Sequence, residues 1–191
     1  MQNSQHGFVK NRSCLTNLLL FLDFVHEYVD KGIPVDVIYL DFRKAFDKVP
    51  HCRLLMKVRA HGIGGHIADW IQNWLSNQEQ RVVLNGHSSD WSKVLSDVPQ
   101  GSVLGPLLFV IFINDLEQDI GNRLLKFADD TKLFGVVSSG KGVDGLREDL
   151  RKLCDWSAEW LMMFNTDKCK VMHFGKSNSL SVYIMNGEIC L

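Results

Sequence analysis

The chain has 191 residues, 46% of them hydrophobic and 23% charged, which suits one globular domain with a substantial core and argues against disorder. Its formal charge of -1 gives no global basic field of the kind that holds a protein on nucleic acid by bulk electrostatics. The longest apolar run, 103–113, is about half the roughly 20 residues of a membrane span and is interrupted by Gly105 and Pro106. Residues 1–20 lack the basic, apolar and small-residue order of a secretory leader, and no localisation signal is visible. A soluble intracellular protein of nucleus or cytoplasm, with no membrane partner, is therefore expected. Five widely spaced cysteines without a C-x-x-C pair suit reduced thiols.

In chain order, Ser13 is an N-cap and Leu15, Leu18, Leu19, Leu22, Val25 and Val29 follow at helical spacing until Lys31-Gly32 and Pro34. Residues 35–42 read as a strand. Ile67, Trp70, Ile71, Trp74 and Leu75 mark a helix over 66–76 with its tryptophans in the core, broken at Asn77-Gln78. Residues 81–84 and 91–95 read as a hairpin with a longer loop, and 103–116 as a helix buried on most sides. Two strands, 123–127 and 131–137, flank Ala128-Asp129-Asp130. A long helix over 143–163 turns Leu146, Leu150, Leu153, Trp156 and Trp160 inward. A strand over 168–174 and a hairpin over 182–191, with Asn186-Gly187 at a type I′ turn, complete the chain. Cys169 and His173, four apart in that strand, read as core or surface residues rather than metal ligands. Strands and helices mix without strict β-α-β alternation, so the expected class is α+β, an antiparallel sheet with helices on one face.

The chemistry concentrates in Asp129 and Asp130, adjacent carboxylates at the tip of a hairpin. Like charges side by side repel unless a cation sits between them and a partner. Asp41 closes the strand 35–40 and is the natural companion. Two or three converging carboxylates with open positions suit Mg2+ and phosphoryl transfer, and two such ions about 4 Å apart can activate one oxygen and stabilise another. An acidic pair decorating a solvated turn is the plainer alternative. The segment Pro99-Gln100-Gly101-Ser102-Val103-Leu104-Gly105-Pro106 precedes an apolar helix, and its glycines would admit a ligand close to the backbone.

Asp41-Phe42-Arg43-Lys44-Ala45-Phe46-Asp47, the Gln100 loop and Phe127-Ala128-Asp129-Asp130, in this order and spacing, resemble reverse transcriptases of LINE (non-LTR) retrotransposons, particularly jockey-like elements. Gln5-His6-Gly7-Phe8 resembles that family's finger-to-palm junction. Trp160-Leu161 with Asn165 and Lys168 resembles its post-catalytic motif, and 182–191 the start of its primer-grip hairpin. The resemblance covers essentially the whole chain. It implies a polymerase palm with a ferredoxin-like core and partial fingers. A fingers-derived helix would span about 5–34 and the palm about 35–191, with thumb and endonuclease absent, as in a truncated retrotransposon copy.

The implied activity is RNA-directed DNA polymerisation, a nucleotidyl transfer from dNTPs to a DNA primer on an RNA template with two Mg2+ ions, Mn2+ being an alternative. The resemblance makes Asp41 and Asp129 the metal ligands, assisted by the Phe42 carbonyl, with Asp130 completing the acidic triad. It gives Phe46 the exclusion of a ribose 2′-hydroxyl, Gln100 and Gly101 contact with nucleotide and template, and Lys168 protonation of the leaving pyrophosphate. A solvated strand lysine and a core phenylalanine are the plainer readings of Lys168 and Phe46. Arg43 and Lys44 read as surface cations near template or triphosphate. Two other readings compete: a catalytically dead remnant serving as an interaction or weak nucleic-acid-binding module, and another palm-type enzyme such as a nucleotide cyclase. The Gln100 loop and Phe46 argue against the cyclase.

Overall fold

The computed structural model describes residues 1–76, 78–99 and 101–190. In chain order the elements are α1 (Cys14–Val29), β1 (Val35–Leu40), α2 (His51–Ala60), α3 (Gly65–Ser76), β2 (Glu79–Gln80), β3 (Val83–Leu84), β4 (His87–Ser88), β5 (Ser92–Lys93), α4 (Leu104–Phe112), β6 (Arg123–Phe127), β7 (Asp130–Val136), α5 (Gly140–Trp160), β8 (Lys170–Phe174), β9 (Tyr183–Met185) and β10 (Glu188–Cys190). They form two compact units, one of 1–43 with 113–191 and the other of 44–112. Among the described residues no helix is long and apolar enough to cross a membrane.

The first unit is built on a four-stranded sheet in the order β6-β7-β1-β8, every neighbouring pair antiparallel. Numbering these strands along the chain as β1, β6, β7, β8 gives the order 4-1-3-2, the ferredoxin-like arrangement. Side chains alternate across the sheet, so β7 sends Phe134 to one face and Gly135 to the other. Phe21 and Phe24 of α1 meet Phe134 edge-on at 5.4 and 5.1 Å and pack with Val25, Val35, Val37 and Leu125. On the opposite face a Cβ added at Gly135 would touch Leu146 of α5 at 3.5 Å. The α+β antiparallel class is as expected, but these two helices cover opposite faces rather than one. A sheet this apolar on both sides must be covered on both.

Local chemistry explains the boundaries. Ser13 caps α1 by accepting from Thr16 N (3.2 Å), while Thr16 Oγ1 accepts from Ser13 N (2.9 Å), a reciprocal box. Two apolar stripes run along α1, and the buried one is Phe21, Phe24 and Val25; Leu15, Leu18, Leu19 and Leu22 are exposed, against the stripe read from spacing. Asn186 and Gly187 both have positive φ, 52° and 84°, the I′ turn expected between β9 and β10. That hairpin is pinned to β1 through Asp36, a fully buried carboxylate. It accepts from Tyr183 Oη at 2.6 Å and from Asn178 Nδ2 at 2.7 Å, and lies 2.7 Å from His173 Nδ1. Burial and the neighbouring carboxylate push the Tyr183 phenol above its usual range.

In the second unit α2 packs on α3 and α4. Its buried Lys57 donates to Phe112 O at 2.7 Å. The helix α2 was not foreseen. The tryptophans of α3 depart from the core expectation: Trp70 is exposed and Trp74 half-buried, their rings parallel at 6.3 Å. The hairpin turns tightly at Asn85-Gly86, with φ 49° and 82°, so β3 pairs with β4 and β2 with β5 instead of closing over a longer loop. Asn77, Gln100 and Leu191, which the sequence reading used, lie outside the described residues.

Candidate active site

Register brings the acids together. β1 pairs with β7 as Leu40↔Thr131, so the next step along both strands sets Asp41 alongside Asp130. β6 and β7 close on Phe127↔Asp130, which leaves Ala128 and Asp129 as a two-residue turn with positive φ (54°) at its first position. Beyond β1 the chain keeps pairing with the segment before β8: Asn165 N donates to Asp41 O at 2.7 Å and Arg43 N to Met163 O at 2.8 Å. That contact delivers Lys168, whose Nζ lies 3.1 Å from Asp41 Oδ2.

Burial raises the Asp129 carboxyl above the usual carboxylate range. Backbone hydrogen bonding lowers it, Asp130 and Asp41 push it further up, and Lys168 draws it down. These four side chains thus share one electrostatic environment. A cleft of about 380 Å³ is lined by Asp41, Asp130 and Lys168 together with Asn17, Tyr39 and Lys132. Lys132 donates to Asn17 Oδ1 at 3.1 Å, and desolvation lowers its ammonium pKa. A larger cavity of about 610 Å³ lies at the opposite end of the sheet, between Pro34, Ser139 and Ser181, and holds none of these acids.

The donor set suits a hard divalent cation: three carboxylates, one of them destabilised by burial and then by the charge of the other two. Among the described residues no three His, Cys, Asp or Glu side chains converge closely enough to hold an ion, and Asp41 Oδ2 lies 3.1 Å from Lys168 Nζ. Open sites that share ligation with substrate phosphates and water have that form.

A family model described as reverse transcriptase (RNA-dependent DNA polymerase) matches residues 1–185. The chain belongs to the reverse transcriptase family. It is 28% identical over 200 residues to the RNA-directed DNA polymerase from mobile element jockey of Drosophila melanogaster, covering 97% of this chain and 21% of that protein. It is 27% identical to the Pol polyprotein from type-1 retrotransposable element R2 of Popillia japonica, covering 81% of this chain and 27% of that protein. The chain therefore spans about a fifth to a quarter of these relatives. In fold it is similar to apo telomerase from Candida tropicalis truncated from its C-terminal domain, with a TM-score of 0.68 at 13% identity over 96% of this chain and 38% of that one. Telomerase from Candida albicans, in complex with a fragment of telomeric RNA, gives a TM-score of 0.64 at 12% identity, covering 97% and 34%.

Of the residues singled out from sequence, this reverse transcriptase domain brings Asp41, Asp129, Asp130 and Lys168 together in its first unit. Phe42 also belongs there, but the residue is 2% exposed and its ring is stacked on Phe164 at 4.5 Å, so the side chain is part of the core. Phe46 and Gly101 belong to the second unit. Phe46 is half-buried and stacks on Phe109 at 4.4 Å, and Gly101 has φ 81°. Gln100 lies outside the described residues. Sequence reasoning missed Asn17 and Lys132 in the cleft. Period-2 alternation along β7 could have found Lys132, two positions beyond Asp130 on the same face.

Proposed function

We propose that the chain is the catalytic palm of an RNA-directed DNA polymerase of the non-LTR retrotransposon type. The observation that carries this reading is the meeting of Asp41, Asp129, Asp130 and Lys168 at the joined ends of β1, β6 and β7 in a chain matched by the reverse transcriptase family over residues 1–185. The printed name of its relatives, RNA-directed DNA polymerase, supports an RNA template and a DNA product, and the proposed reaction takes a DNA primer and deoxynucleoside triphosphates as its other substrates. In the reaction a bond forms between the primer O3′ and the α-phosphorus of the incoming nucleotide, the bond to the bridging oxygen breaks, and pyrophosphate leaves.

Asp41, Asp129 and Asp130, with the Phe42 carbonyl, would hold two divalent ions, Mg2+ or Mn2+, which when bound supply charge neutralisation for the attacking and leaving oxygens. The residues themselves do the positioning. Asp129 is partly desolvated and lies close to the charges of Asp130 and Asp41, so a bound cation would stabilise its carboxylate. Lys168 neutralises Asp41 in the resting chain and carries a proton at Nζ that it can deliver to the leaving pyrophosphate. Phe46 screens the sugar, and Gln100 with Gly101 contacts nucleotide and template.

The test is extension of a DNA primer on an RNA template by the purified chain in Mg2+, with Asp41→Ala and Asp129→Ala alongside. Extension that both substitutions abolish supports the proposal. A folded wild type that extends nothing contradicts it and leaves the binding-module reading.

A further inference from the structure

We propose that Gln5 is a positioning residue for the acidic pair: its side-chain amide grips the Ala128 peptide and thereby fixes the turn that presents Asp129. The inference rests on the assignment of Asp129 to a metal-binding site.

Ala128 has φ 54°, in the left-handed region that is unfavourable for an L-residue and that glycine occupies freely. An alanine held there needs its surroundings to impose the conformation. Gln5 does so from the N-terminal segment. Its side chain is buried, with the residue 1% exposed; Oε1 accepts from Ala128 N at 2.9 Å and from Gly7 N at 2.7 Å, and Nε2 donates to Ala128 O at 3.3 Å. One amide therefore engages both the N–H and the C=O of the residue preceding Asp129.

Main-chain bonding places Gln5 for this. Lys126 N donates to Ser4 O at 2.9 Å and His6 N to Lys126 O at 2.8 Å, so the segment pairs in parallel with the end of β6 and covers that sheet edge. Gly7 permits the approach, because a Cβ there would lie 2.3 Å from Ala128 N. A buried glutamine satisfied anywhere in a core would be unremarked. This one spends its acceptor and one donor on the turn that carries the acids.

Gln5→Met keeps the bulk and removes the hydrogen bonds, and Ala128→Gly removes the conformational penalty that those bonds offset. Three readouts apply to the full chain: the thermal midpoint, hydrogen exchange of the Ala128 amide by NMR, and Mn2+ binding by electron paramagnetic resonance. In Gln5→Met the Ala128 amide should exchange about tenfold faster while amides of α5 keep their rates, and Mn2+ affinity should fall about threefold, the scale of losing one or two hydrogen bonds. Adding Ala128→Gly should recover most of that affinity, which a residue serving only general stability would not allow. Gln5→Asn, one methylene short, should also accelerate Ala128 exchange, and it decides the matter should Gln5→Met not fold. Unchanged Ala128 exchange overturns the proposal, as does uniform acceleration across the sheet with no recovery from glycine. A wild type that binds no Mn2+ contradicts the metal assignment instead, and Ala128 exchange then decides the role of Gln5 alone.

Discussion

Asp41 and Lys168 meet at 3.1 Å at the end of β1, and the pairing sets what substitution of the lysine should do. If Lys168 delivers the proton to pyrophosphate, Lys168→Ala lowers the single-turnover extension rate by about 10²- to 10⁴-fold with primer affinity little changed. Lys168→Arg, which keeps the charge on a group that does not release its proton, should recover less than half of the loss on a logarithmic scale. Rates within twofold of wild type for both would reduce Lys168 to a surface cation. Phe46→Ala should raise the ratio of ribonucleotide to deoxynucleotide incorporation, a ratio internal to each protein and so insensitive to the cavity left beside Phe109; an unchanged ratio removes Phe46 from sugar selection. The four charged residues were legible because their segments recur in fixed order. Their contacts were not: the sequence carries no sign that Phe42 turns its ring into the core or that Gln5 reaches the Ala128 peptide.

At the scale of elements, α1 shows how periodicity misleads. Both the leucine stripe and the Phe21, Phe24, Val25 stripe satisfy helical spacing, and only the neighbouring sheet decides between them. Phe21→Ala should cost about 3–5 kcal/mol in urea unfolding, whereas Leu19→Ala at the exposed stripe should stay within about 0.5 kcal/mol. Equal costs would mean that the leucines are buried in solution. The Asp36 cluster makes a second case. Asp36→Ala takes the acceptor from the buried Tyr183 hydroxyl, while Asn178 Nδ2 keeps Val35 O and Phe174 O, and should cost about 3–5 kcal/mol, Tyr183→Phe about 1.5–3. A near-neutral Asp36→Ala would contradict the pinning of the β9–β10 hairpin. The cluster was invisible in sequence because its members lie far apart along the chain. The helix α2 escaped notice because charged residues interrupt its apolar positions, and burial of Lys57 against Phe112 O completes its inner face.

At the scale of the whole chain, the strand order 4-1-3-2 was expected only through family resemblance. Periodicity finds strands but not partners, and β1 and β6 are separated in sequence by the entire second unit. The near-neutral charge also belongs to this scale. With a formal charge of -1 the chain has no net cationic field, so its affinity for an RNA–DNA hybrid at physiological salt should lie at roughly 10⁻⁴ to 10⁻⁶ M by fluorescence anisotropy, the range of non-specific contacts. Nanomolar binding would reveal a concentrated basic surface that the overall balance conceals.

The central claim is that two segments distant in sequence, one ending in Asp41 and one carrying Asp129 and Asp130, form one divalent-cation site. The most direct measurement replaces Mg2+ with Fe2+ in the presence of ascorbate and peroxide and maps where radicals generated at the bound ion cut the backbone. The account predicts cuts beside both Asp41 and Asp129, competed by Mg2+ and lost together in Asp129→Ala. Cuts beside neither residue, or cuts beside Asp41 that survive Asp129→Ala, would contradict it.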